Sequence, residues 1–285
     1  MAAEYAVGVD LGGTNLKVAL VEREAGIVRQ VRLPTEAGMG PDHVLDQIAD
    51  GIGRVAAAAD GPVRGVGVGA PGAVSLDRTT VTTPPNFVGW DVVHVPDAVR
   101  GRLDRMGLDE IVLVENDANV AALGSAFYGA GRPFDSFVMV TLGTGVGGAI
   151  IVDNRLFRGA TGAAGEIGHM SIDYEGPYDR AGVPGAIEAY LGQRFLSRHA
   201  RYQLLTRETD LHQTCGDDLT DVTPERVHAA AVAGDQAAQD VLAWAGHKLG
   251  VLLGSVVSLL DIRKVVVGGG VSRARRGRRA SRGSR

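Results

Sequence analysis

The chain has 285 residues, 45% hydrophobic and 22% charged, which suits a folded protein of two lobes and excludes global disorder. Its 41 glycines follow no G-x-y period, which excludes collagen, and its single cysteine, Cys215, excludes an intrachain disulfide. The net charge of −4 becomes −11 without the seven arginines of residues 272–285, so the body is acidic and nucleic acid is not an expected partner. The first twenty residues carry Glu4, Asp10 and Lys17 and no secretory apolar core. The longest uncharged apolar stretch near the C-terminus, Leu249 to Leu260, is short for a bilayer. No membrane partner is expected, and the expected location is cytoplasmic.

In chain order, Tyr5 to Val9 reads as a strand, Asp10 to Asn15 as a glycine turn, and Leu16 to Val21 and Ile27 to Leu33 as further strands. Pro41 opens a helix to about Ala59, since proline suits the first helical turn. Val63 to Gly69 is a buried strand ending in Ala70-Pro71-Gly72. Ile111 to Val114 is another, delivering the chain to Glu115-Asn116-Asp117 and a helix to about Tyr128. The second half starts afresh: strand 136–142, a glycine turn at 143–148, and strand 149–152. Helices are expected from about Ile187, over 224–233 and over 236–260, then a last strand, Lys264 to Val267, runs into Gly268-Gly269-Gly270. Mixed strands and helices in this order indicate α/β lobes. One pattern occurs twice: apolar strand, Gly-Thr turn, apolar strand, at 5–21 and 136–152.

Residues 143–148 satisfy G-x-G-x-x-G, but a strand-like Ala149-Ile150-Ile151-Val152 follows where a dinucleotide site needs a helix. No G-x-x-x-x-G-K-[ST] loop is present either. What remains is two hairpin turns, each an ordinary glycine hairpin taken alone. Together they suit phosphate, because glycine lets backbone N–H groups approach an anion and threonine adds a donor. Asp10 beside the first turn suits Mg²⁺, directly or through water. Asp117 suits an N-cap and also suits the carboxylate that accepts a proton from an alcohol attacking a phosphoryl group; one side chain can do both. Glu166 and His169 in the Gly159–Gly168 loop, with Glu188 beyond it, suit hydrogen bonding to vicinal hydroxyls of a sugar; a surface loop and a solvated helix end are the plain alternative.

As a set, DLGGTNLKVAL (10–20), GAPG (69–72), PPNFVGW (84–90), ENDANVAALGSAFYGAG (115–131), LGTGVGGAII (142–151), GEIGHM (165–170), IEAYLG (187–192) and VVVGGGVS (265–272) resemble the ROK family of sugar kinases, its bacterial glucokinases above all. The resemblance covers about residues 5 to 272. It implies an α/β, two-lobed actin/hexokinase-like (ribonuclease H-like) fold with a cleft between lobes, which close on a sugar with ATP across the cleft. The expected lobes are 1–115 and 116–272, with 273–285 a basic tail. It implies ATP-dependent phosphorylation of a hexose 6-hydroxyl, glucose first, with Asp117 as base. Asn86, Asn116, Asp117, Glu166, His169 and Glu188 would meet the sugar. Gly12, Gly13, Thr14, Asn15 and Lys17, with Gly143, Thr144 and Gly145, would face the phosphates, and Gly268, Gly269 and Gly270 the adenosine. Fructose, mannose, allose and N-acetylhexosamines are alternative substrates within the family, polyphosphate an alternative donor, and a dimer or tetramer the expected assembly.

Two departures stand out. Most ROK kinases hold a structural zinc with the GEIGH histidine and three cysteines of C-x-C-G-x-x-G-C-x-E. Here the aligned stretch runs from Asp179 to Glu188, and its cysteine positions are Asp or Ala. Tetrahedral zinc needs four good ligands, so none is expected, and packing alone is expected to hold the loop. The second departure is the run after Ser272, RARRGRRASRGSR. In a chain with three lysines and 26 arginines it reads as a frameshifted or altered terminus, disordered from about Arg273. A basic arm for nucleic acid or anionic lipid is its rival. The competing functions are a sugar-binding regulator, for which nine residues before Asp10 leave no room for a DNA-binding domain, and a kinase-like protein impaired by its altered end.

Overall fold

The structure, a computed structural model, describes residues 3–108 and 111–270, so the expected altered tail lies outside it. Internal contacts divide the chain into two compact units. The first holds the described residues up to Gly124 together with Leu156–Ala164. The second holds Ser125–Arg155 and the described residues from Gly165 onward.

The first unit is built on a five-stranded sheet. Strands β1 (Tyr5–Leu11), β2 (Asn15–Glu22) and β3 (Gly26–Pro34) form an antiparallel meander. Strands β4 (Val63–Ala70) and β8 (Val112–Asn116) lie parallel to β1, giving the order β3-β2-β1-β4-β8. The two-residue period of a strand explains the burial. Tyr5, Val7, Val9 and Leu11 face the core, while Ala6, Gly8 and Asp10 face out. Helix α1 (Pro41–Ala56) buries Val44, Leu45, Ile48, Ile52 and Val55 in the same core. Helix α2 (Val95–Asp104) adds Val95, Val99 and Leu103. A small sheet of β5 (Ala73–Val74), β6 (Val81–Thr82) and β7 (Val92–Val93) completes the unit, and α3 (Asp117–Tyr128) leads out of it.

The second unit repeats the opening device. Strands β9 (Phe137–Leu142) and β10 (Val146–Val152) form an antiparallel hairpin, and β12 (Val265–Gly268) runs parallel to β9. Strand β11 (Arg155–Phe157) begins as the chain leaves this unit, within which the order is β10-β9-β12. Helices α4 (Glu188–Leu191), α5 (Gln193–Leu204), α6 (Leu211–Cys215), α7 (Pro224–Ala233) and α8 (Gln236–Leu260) follow the long loop. Ala237, Ala238 and Val241 of α8 pack against α5 and α7, and Leu252 and Val256 pack on the sheet. By length and composition α8, at 25 residues and mean hydropathy 1.4 over its most apolar window, is also long and apolar enough to cross a membrane. The 12-residue stretch seen in the sequence understated it, since Asp240 and Lys248 divide the apolar run.

Two local expectations change, and other elements stand where none is expected. The helix expected from Ile187 is two, broken at Gly192, whose ψ of 139° leaves the helical region. Strand β10 begins at Val146, so the second glycine turn is three residues, 143–145. The small sheet escaped the sequence reading because two-residue strands show no alternation. Helix α2 did show a signal, Pro96 and Asp97 in its first turn and Val95, Val99 and Leu103 at four-residue spacing.

Candidate functional site

In the first unit the carboxyl ends of three parallel strands gather the predicted groups. Register pairs Asp10 with Gly69, Gly69 with Glu115, and Ala70 with Asn116. Open α/β sheets characteristically present ligand groups at this end. The turn between β1 and β2 is closed by Gly12 N–H donating to Asn15 O at 3.1 Å. Thr35, fully buried just after β3, braces it: its hydroxyl donates to Gly12 O at 2.5 Å and its N–H to Thr14 O at 3.1 Å. The N–H groups of Gly13 and Thr14 have no acceptor among the described residues and suit an incoming anion. Lys17 Nζ donates to Asp10 Oδ2 at 2.7 Å, so the cation expected at phosphate and the carboxylate expected at magnesium lie together. A lone exposed carboxylate fits Mg²⁺ held mostly by water and phosphate, not an all-protein cage. Asn15 Oδ1 accepts from Arg32 on β3 at 3.0 Å, a second cation beside the turn that the sequence reading did not single out.

Asn86 lies against Gly13, its Nδ2 3.8 Å from where a Gly13 Cβ would sit. Its loop is anchored by Phe87 and Trp90, both buried and packed edge to face at 5.1 Å. Asn86 itself takes φ +72°, a left-handed conformation that asparagine tolerates.

At the start of α3 the cap belongs mainly to Asn116. Its Oδ1 accepts from Ala118 N–H at 2.9 Å and Asn119 N–H at 3.2 Å, and its Nδ2 donates to Gly72 O at 3.3 Å. Asp117 Oδ1 also accepts from Ala118 N–H, at 2.8 Å. The carboxyl of Asp117 keeps a solvent-exposed side, but the protein atoms crowded around it disfavour its charge, and Asp10 adds negative potential. Against the Ala118 hydrogen bond, these push its pKa above the ordinary aspartate value. Behind it Glu115 accepts from Arg158 Nε at 2.8 Å, from Asn119 Nδ2 at 2.9 Å and from its neighbour Asn116 N–H at 3.1 Å. Arg158 belongs to the segment 156–164 that returns to this unit, a link no sequence spacing announces.

In the second unit the turn 143–145 closes one residue tighter, Gly143 N–H donating to Gly145 O at 3.0 Å. Thr144 and Gly145 N–H are its two open donors among the described residues. Its braces differ. Gln193 N–H, at the start of α5, donates to Gly143 O at 3.0 Å, and Val146 N–H donates to Glu188 Oε2 at 3.0 Å. Register sets Gly268 beside Thr141, so the glycine run 268–270 begins next to this turn.

Glu166 precedes and His169 ends a short 3-10 turn, Ile167–His169, that packs on β10. Gly168 permits this, since a Cβ there would strike Val146 O. The His169 ring, 41% exposed, bonds through Nδ1 to Asp179 Oδ2 at 2.7 Å, and the Asp179 side chain is fully buried. Partial burial works against charge on His169, but the hydrogen bond and charge of Asp179, with the charges of Glu188 and Glu166, outweigh it and raise the pKa. Burial likewise works against charge on Asp179, yet His169 and the Val183 N–H, 2.8 Å from Oδ1, hold its pKa below the ordinary value. The expectation that packing alone holds this loop is therefore corrected: Asp179, at a family cysteine position, ties the loop to His169 by a polar bond. Among the described residues no cluster of three or more His, Cys, Asp or Glu side chains is arranged to hold a metal.

The sequence model of the ROK family matches residues 6–278, and the chain belongs to that family. It is 31% identical over 268 residues to a glucokinase of Thermotoga maritima, covering 94% of this chain and 82% of that one. It superposes with TM-score 0.81 on a ROK family glucokinase from Streptomyces griseus in complex with glucose and AMPPNP, at 33% identity, over 95% of this chain and 84% of that one. The fold is thus the two-lobed actin/hexokinase-like α/β fold. A xylose repressor of Caldicellulosiruptor bescii is 26% identical, over 92% of this chain and 65% of its own.

Proposed function

We propose that this chain is a sugar kinase that transfers the γ-phosphoryl group of ATP to the 6-hydroxyl of a hexose, glucose first. The observation that carries the reading is Asp117. It stands at the carboxyl end of β8 and the start of α3, in the same unit as the Asp10 turn, with burial and the charge of Asp10 raising its pKa above the ordinary aspartate value. Asp117 accepts the proton of the attacking hydroxyl. The open N–H groups of Gly13, Thr14, Thr144 and Gly145, with Lys17, bind phosphate oxygens and offset their charge. Mg²⁺, which Asp10 would hold through water or directly, neutralises phosphate charge when bound. Asn86, Glu166, His169 and Glu188 take sugar hydroxyls, and Asn116 contributes chiefly by fixing the start of α3. Gly268–Gly270 face the adenosine. The similarity to glucokinases supports glucose over other hexoses, and the AMPPNP held by the similar structure supports ATP over polyphosphate. A cytoplasmic dimer or tetramer is part of this reading, and light scattering checks the assembly.

The test is ADP release with MgATP and a panel of hexoses, beside Asp117→Asn. Sugar-dependent turnover that the variant loses supports the reading and identifies the sugar. Folded protein that binds a sugar, such as xylose, without turnover would sink it, in favour of an impaired kinase or of a sugar-binding regulator like the xylose repressor relative.

A further inference from the structure

Glu188 carries more than a sugar contact requires. Its Oε2 accepts the Val146 N–H that ends the turn 143–145, while Oε1 makes no hydrogen bond to a described residue. The fit is close: a Cβ on Gly145 would collide with Oε2, so glycine there is a condition of the contact. Two residues link Glu188 to the neighbouring elements. Ile187, fully buried, donates its N–H to Met170 O at 3.0 Å, joining Glu188 to the segment that holds Glu166 and His169. Gly192 ends α4, and the following Gln193 N–H binds Gly143 O. The turn is therefore held at both ends by the helix pair that Glu188 opens, and that pair is bonded to the loop expected to meet the sugar.

We infer that Glu188 is the positioning residue of the second phosphate turn. Oε2 fixes the turn and Oε1 is left for a sugar hydroxyl, so sugar and nucleotide report to each other through one carboxylate. The inference rests on the kinase reading and extends it. Removing the Val146 bond frees the end of a three-residue turn whose open N–H groups must point together at an anion. Because coupling free energy is reciprocal, glucose tightens nucleotide binding by the same factor by which nucleotide tightens glucose.

The experiment measures binding of Mg·AMPPNP to the full chain by calorimetry, with and without glucose, in the wild type and three variants. Glu188→Ala is expected to weaken nucleotide binding without any sugar by about tenfold, the loss of one charged hydrogen bond, and to abolish the mutual tightening. Glu188→Gln keeps an oxygen that can accept from Val146. It is expected to recover nucleotide binding to within about threefold of wild type while glucose stays weak, because neutral acceptors are weaker than charged ones. His169→Ala is expected to weaken glucose alone. Should Glu188→Ala fail to fold, Gly145→Ala, which pushes on the carboxylate from the turn, is read in its place and is expected to show the same deficit. Unchanged nucleotide affinity in the folded alanine variant, with glucose weakened, overturns the inference and leaves the kinase reading standing. Wild-type protein that binds no nucleotide overturns both.

Discussion

The two glycine turns are built alike but differ in length, the first closing from residue 12 to 15 and the second from 143 to 145. Each closes on one backbone hydrogen bond, at 3.1 and 3.0 Å, and each has two adjacent N–H groups, one of them on a threonine, without an acceptor among the described residues. Their supports differ. The first is braced by Thr35, a buried residue following the third strand of its own meander. The second is braced by Glu188 and Gln193, more than forty residues further along the chain. One turn is fixed as soon as its sheet forms. The other is complete only when a second element docks. Equal anion chemistry can thus be built once as a permanent fixture and once as an adjustable one.

The largest expected effect removes the chemistry while sparing both turns. Asp117→Asn should lower turnover about a thousandfold, as expected for loss of a general base, with nucleotide affinity unaltered. The sign of the pH dependence follows from its raised pKa. Activity needs the carboxylate, so turnover falls as pH drops through a pKa above the ordinary 3.8. The stability contribution runs the other way. It is present when Asp117 is protonated and is lost as pH rises through the folded pKa. Asp117→Asn should therefore melt higher than the wild type at pH 7, and a lower melting temperature would contradict the raised pKa.

The next effect separates the turns directly. Gly145→Ala drives a methyl into the Glu188 carboxylate, whereas a Gly13 Cβ meets only ordinary contact at 3.8 Å. Thermal melts should show a loss of about 1–3 kcal/mol for the first substitution and within about 0.5 kcal/mol for the second. Equal losses would dissolve the distinction. Thr35→Val then tests the fixed turn's own brace. It deletes a hydroxyl in a fully buried place and should cost about 1–2 kcal/mol by denaturant titration. The smallest effect is at the exposed Lys17–Asp10 pair. Lys17→Met should move the melting temperature by about 1 °C or less while weakening nucleotide binding in a salt-dependent way.

Much of this was legible in the chain itself. Alternation marked β1 and β4, proline at the helix start marked α1, and the duplicated strand–turn–strand pattern located both turns. Their supports were not legible, because each joins residues distant in sequence. Thr35 is unremarkable until its hydroxyl is seen to reach Gly12. Glu188 was read as a sugar contact, and nothing in its spacing announced the Val146 N–H. In the sequence Asp179 shows only as a residue standing where the family resemblance implies a cysteine. A carboxylate beside a glycine-rich loop carries no periodic signal, so only coordinates reveal that it holds His169 ten residues away. The N-cap is ambiguous in sequence for a simpler reason: Asn116 and Asp117 are adjacent and both suit the role, and sequence cannot choose between neighbours.

The Glu115–Arg158 bond has a bearing on inheritance. The first unit is not one continuous stretch of gene, since Arg158 reaches it from beyond a piece that belongs to the other unit. A recombination that severed the chain after Gly124 would carry off Glu115, 12% exposed, without its arginine. Asn119 and the Asn116 N–H would stay with the carboxylate, so the loss is that of one charged hydrogen bond, about 1.5–3 kcal/mol, still a sizeable share of what keeps a domain folded. The two halves are therefore poor candidates for shuffling, and a lineage carrying this pairing is expected to pass them on together.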